Sequence, residues 1–122
     1  MSKTRNIRID GLEELERKLR ALPLGVHAAA GRAVKGETEE TADDVRRGAP
    51  VKTGTLRDSV QAEYDEAALA GTVAVTARYA KFVENGTDDT PAQPFIVPAS
   101  EITRKRFPKR VKAEVKATLE RL

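Results

Sequence analysis

The sequence has no cysteine, no tryptophan, a single histidine, and aromatic rings at only 4% of its 122 positions. Each shortage excludes something. Without thiols there is no disulfide framework, no thiolate metal site and no cysteine nucleophile. A lone His27 cannot build a multi-histidine centre, and with no carboxylate partner nearby in sequence it reads as a surface or helix-end residue. No apolar run approaches the roughly 18 residues that cross a membrane. The opening MSKTRNIRIDG lacks the apolar core of a secretory signal, so an intracellular soluble protein is the default expectation. Glycine-rich phosphate loops are missing too, since Thr53-Gly54 and Gly86-Thr87 are lone glycine turns.

What is present suits one domain over residues 1–122, with 39% apolar and 34% charged residues. A core of valine, leucine and alanine with so few rings should be thin. The net charge of +3 hides an uneven distribution. Residues 101–122 hold eight basic and three acidic side chains, whereas residues 62–100 hold six acidic and two basic ones. Such polarity suits either a polyanion on one face or head-to-tail contacts between copies.

Hydrophobic spacing predicts the elements. Ile7 and Ile9 alternate with polar neighbours over 5–10, a short strand or extended arm. Asp10 and Glu13 form a capping box that opens a helix with the stripe Leu12, Leu15, Leu19 and Leu22, stopped by Pro23. A second helix is expected over about 24–47 on a stripe of small residues: Val26, Ala30, Ala33, Val34, Thr41, Ala42 and Val45. Gly31 and Gly36 each cost it roughly 1 kcal/mol, which packing must offset. Alternation over 56–65 and 72–79 predicts an antiparallel hairpin with a loose loop at 66–71. A short helix over 79–85 should end at Gly86. Residues 87–98, with three prolines, form an irregular arm. The last helix starts near Pro98 on the stripe Ile102, Phe107, Val111, Val115, Leu119 and Leu122, and should kink or restart at Pro108. The fold class is α+β: a small antiparallel sheet with a central hairpin, packed against a long helix and a C-terminal helix.

Chemistry-bearing patterns are few. Glu37, Glu39, Glu40, Asp43 and Asp44 spread around a helix and read as a solvated face rather than a metal site. The basic run Arg104, Lys105, Arg106, Lys109 and Arg110 is a candidate polyanion contact. It would make the chain a small nucleic-acid-binding domain, against the plainer reading of a solvated amphipathic helix. No nucleophile–base pair can be assembled, so no catalysis and no cofactor are expected. Arg57 and Glu84 could pair if the short helix folds back over the sheet end.

Three segments go beyond composition: Ala49-Pro-Val-Lys-Thr-Gly-Thr-Leu-Arg-Asp-Ser59, Tyr79-Ala-Lys-Phe-Val-Glu-Asn-Gly-Thr87 and Pro91-Ala-Gln-Pro-Phe-Ile-Val-Pro-Ala99. In this order and at these separations they resemble the minor tail, or tail-completion, family of long-tailed bacteriophages typified by the tenth-gene product of the Hong Kong ninety-seven phage. The resemblance covers about two thirds of the chain. It implies a structural virion protein that forms a homo-oligomeric ring, a hexamer, in the neck at the head-proximal end of the tail. There it would help join tail to head, beside neck and tail-terminator or connector proteins, after assembly in the host cytoplasm. No membrane or cofactor is implied, and DNA is at most a non-specific neighbour. Mapped onto this sequence, the motif and candidate subunit interface comprise Pro50, Thr53, Gly54, Leu56, Arg57 and Tyr79, then Glu84, Gly86, Thr87, Pro94, Phe95 and Pro98. Asp88-Asp89-Thr90 departs from relatives, which often carry a basic residue there. Phe95 or its immediate neighbours are expected to bury surface against an adjacent subunit, with Asp88 and Asp89 near the rim, against the plainer reading that part of the arm packs on the chain's own helices.

Overall fold

The stripe of small side chains that predicts the long helix also decides what packs on it. In the computed structural model, which describes residues 5–8, 24–50 and 54–121, helix α1 spans Leu24–Gly48. Ala29, Ala30, Ala33, Val34, Ala42 and Val45 are buried on it, and their small size lets other elements lie close. The helix expected over 10–22, and Thr53, lie outside the described residues.

Strands β1 (Arg5–Arg8), β2 (Val60–Asp65) and β3 (Ala70–Val75) form an antiparallel sheet in the order β1-β3-β2. Val60 pairs with Val75 and Ala62 with Val73, so the expected hairpin is present with its apolar face turned to α1. Its loop is tight rather than loose. The N–H of Leu69 donates to the Glu66 carbonyl at 3.3 Å, and that of Ala68 to Asp65 Oδ1 at 3.1 Å. Leu69 itself adopts φ 55° and is buried against Ala30, Ala33 and Phe107. The left-handed conformation costs roughly 1–2 kcal/mol, and burying a leucine contributes about as much or more.

Strand β2 begins later than its alternation suggests. Residues Thr55–Asp58 make a single helical turn, α2, entered through Gly54 at φ 80°. Leu56 and Val60 are four apart, a separation that fits one turn of helix as well as a strand, and both point into the core. Helix α3, Ala80–Asn85, ends at Gly86 as expected, and α4 runs over Ile96–Glu120.

Helix α4 continues through Pro108 with no restart. Phe107 and Val111, buried on either side of the proline, hold both halves against α1. The buried face of α4 is Ile96, Ala99, Thr103, Phe107 and Val111. Ile102 and Leu119, expected in that stripe, are 48% and 53% exposed. Thr103 takes the inward position, because its hydroxyl hydrogen-bonds Thr41 on α1.

Candidate functional site

Gly86 turns the chain at φ 77°, where a side-chain Cβ would stand 2.7 Å from the Ala92 nitrogen. Only glycine fits this crossing comfortably. The turn lets residues 87–95 fold back along α3, held by the Gln93 N–H donating to the Val83 carbonyl at 2.8 Å. Thr87 and Thr90 close the loop: Thr87 N–H donates to the Thr90 carbonyl at 2.9 Å, and Thr90 N–H to Thr87 Oγ1 at 3.1 Å.

Folding back brings Glu84 beneath the start of α4. One carboxylate oxygen accepts the N–H groups of Phe95 and Ile96, both at 2.9 Å, and the other accepts Val97 N–H at 3.0 Å. The expected pair with Arg57 does not form, because Glu84 is buried among these donors while Arg57 Nε donates to the Arg46 carbonyl at 3.2 Å. Phe95 is 2% exposed and packs against Gly48, Ala49 and Ile96 in the chain's own core. The Phe95 ring itself is therefore spent within its own chain, while its neighbour Val97 stays exposed. The bare end of α1 at Gly48 offers the ring a closer partner within the chain. Leu56, another expected interface residue, is likewise core.

The remaining motif residues gather around a cleft of about 290 Å³. Pro50, Gly54 and Leu56 from the first segment form one wall. Tyr79, Phe82, Val83 and Thr87 from the second form another, and Pro91 and Gln93 from the third close it. Pro94 and Pro98, exposed, lie outside it. Tyr79 is 41% and Phe82 50% exposed, so two of the chain's few aromatic rings stand in solvent at the mouth. Phe82, which also has the Lys81 ammonium 5.1 Å from its ring centre, was not among the expected interface residues. The lining is mostly apolar and, among the described residues, holds no carboxylate, imidazole or ammonium group. Such a surface can bury an apolar side chain.

The basic run on α4 divides. Arg106 and Arg110 leave the candidate polyanion contact because they face α1. Arg106 donates through Nε to Glu37 Oε2 at 2.8 Å and through Nη1 to Glu40 Oε1 at 2.9 Å. Its Nη2 approaches Asp44 Oδ2 at 2.9 Å as a charge pair without hydrogen-bond alignment. Arg110 holds Glu37 Oε1 at 3.1 Å and also grips Glu40. Glu37 is fully buried, so the acidic group is no uniformly solvated face. Burial alone would lower the Arg106 pKa, but the hydrogen bond to Glu37 and the charges of Glu37 and Asp44 raise it above its ordinary value. Gly36 makes room for this network, since a Cβ there would sit 2.9 Å from Arg110 Nη1. Arg104, Lys105 and Lys109 remain exposed.

Residues 13–86, well over half of the chain, match the model of the family described as "Bacteriophage HK97-gp10, putative tail-component". The chain belongs to this family. It is a structural component of a bacteriophage tail, a virion protein. No curated protein and no solved structure matched it. The family match takes in the first two motif segments almost whole and stops before the third. In this tail component the third segment joins the others through the cleft wall at Pro91 and Gln93.

Proposed function

We propose that this tail component is a tail-completion protein: it forms a homo-oligomeric ring, a hexamer, at the head-proximal end of the tail and makes the tail competent to join the head. The observation that carries this reading is the convergence of all three motif segments on one exposed apolar cleft with an aromatic mouth. Solvent-exposed rings beside an apolar groove mark a protein-binding surface. The neighbours in the neck would be connector or tail-terminator proteins on either side of the ring. The competing picture of a nucleic-acid-binding domain loses support because two of its five cations are already neutralised by α1. Particles made without the protein test the proposal. Filled heads and tails of normal length should accumulate unjoined, and the particle should contain six copies of the chain. Overlong tails in its absence would point instead to length termination.

A further inference from the structure

Four of the seven large apolar side chains left in solvent among the described residues fall into two places. Tyr79 and Phe82 stand at the cleft, and the loop beside them carries exposed Asp88 and Asp89 between two lining residues, Thr87 and Thr90. The other place is the outer face of α4. Ile102, Lys105, Lys109, Lys112, Lys116 and Leu119 follow one another at spacings of three, four, three, four and three, which places them on one stripe, and all six are exposed. The opposite face of the helix is spent on α1 through Thr103, Arg106, Phe107 and Arg110. Among the described residues, no carboxylate pairs with Lys105, Lys109 or Lys112, and Lys116 reaches Glu120 only at 4.0 Å.

We propose that the outer stripe of α4 in one copy docks on the cleft of the next copy, with Ile102 entering beside Tyr79 and Phe82 while Lys105 and Lys109 meet Asp88 and Asp89. This rests on the ring reading above and names the contact that builds the ring. Charge decides between the possible pairings. Cleft against cleft would bring four aspartates together, and stripe against stripe would oppose two rows of lysines. Cleft against stripe pairs opposite signs. It joins two different patches of identical subunits, the heterologous contact that closes into a ring. The dimensions agree. The cleft has room for an isoleucine side chain, and the two lysines lie about 4.5 Å and 10.5 Å further along the helix axis, within reach of a charged rim.

Charge exchange in the full chain tests it. The variants Asp88→Lys/Asp89→Lys and Lys105→Glu/Lys109→Glu should each assemble more than tenfold more weakly than the parent, in solution and in particles. The quadruple variant should recover assembly, and so should an equimolar mixture of the two double variants, in which every cleft meets a stripe of opposite sign. All four positions are exposed, so the variants should melt with the parent. Position is checked separately. The chain has no cysteine, so Thr90→Cys/Lys105→Cys treated with a short bis-maleimide in particles should give a ladder of linked copies, and neither single cysteine should give more than a dimer. Rings that form normally from both double variants, or that give no ladder, overturn this contact while leaving the ring reading intact. A single copy per particle would overturn both.

Discussion

Glu84 caps a helix to which it does not belong, beginning with the N–H of Phe95 at 2.9 Å. A helix leaves its first backbone donors unpaired. Here Phe95, Ile96 and Val97 all give theirs to one buried carboxylate, and the next residue, Pro98, has none to give. The negative charge also lies at the positive end of the helix dipole. Glu84→Ala should therefore cost about 3 kcal/mol in denaturant unfolding, with Glu84→Gln losing less because an oxygen acceptor survives. Arg57→Ala should be nearly neutral, and the double variant should equal the two singles added. Coupling above about 0.5 kcal/mol would contradict the separation seen here.

Much of the fold was legible because its periodicities are local. The small-residue stripe defines α1, and the alternation of Val73 and Val75 defines β3. Gly54 and Gly86 stand where positive φ is needed. The errors share a cause, which is that a pattern does not name its partner. Phe95 and Ile96 between prolines look the same whether they dock on a neighbour or on their own α1. Leu56 and Val60 satisfy helical and extended spacing alike. Glu84 could not be assigned, because its partners are backbone N–H groups, which every sequence has. The ion-pair network left a usable trace: Glu37, Glu40 and Asp44 recur at three and four, as do Arg106 and Arg110 at four, two stripes of opposite sign on helices expected to pack.

That network should behave as a buried one. The Glu37 side chain is fully buried, so losing Arg106 leaves that charge with Arg110 alone and one oxygen short of its cation, at about 3 kcal/mol for Arg106→Met. Arg106→Lys should recover little of it, because an ammonium cannot hold Glu37 and Glu40 in a two-pronged grip. The sign of any pH dependence follows from the raised Arg106 pKa. Stability linked to a raised pKa is fully present below the unfolded value and is lost only as pH climbs through the folded one, here above the ordinary guanidinium value. The penalty of Arg106→Met should thus stay constant from about pH 7 to pH 10 in urea unfolding. A penalty that fades across that window would show that a different group supplies the stabilisation.

At Gly86 the backbone rather than a side chain is at stake. Alanine there would carry the cost of φ 77° and a Cβ pressed 2.7 Å from the Ala92 nitrogen. A loss of at least about 2 kcal/mol is expected. The loop 87–95 should also loosen its hold on Val83, which hydrogen exchange at Gln93 would report as faster exchange.

Phe82 and Phe95 separate stability from assembly. Both are phenylalanines in the motif region, but Phe95 is 2% exposed and Phe82 50%. Truncating Phe95 opens a cavity between α1 and α4, so Phe95→Ala should cost about 3–5 kcal/mol and leave little folded chain. Phe82 is half exposed and lies outside the core, and Phe82→Ser should change stability by no more than about 0.5 kcal/mol. Its effect should appear in the particle, as folded protein that no longer forms the ring and tails that fail to join heads. The two measurements must be made on the same preparations, unfolding by urea and joining by complementation of a particle that lacks the protein. If Phe82→Ser supports joining at the parental level, the aromatic mouth of the cleft is not the assembly surface. If it unfolds as Phe95→Ala does, the ring is packed rather than exposed, and its loss of joining would say nothing about assembly.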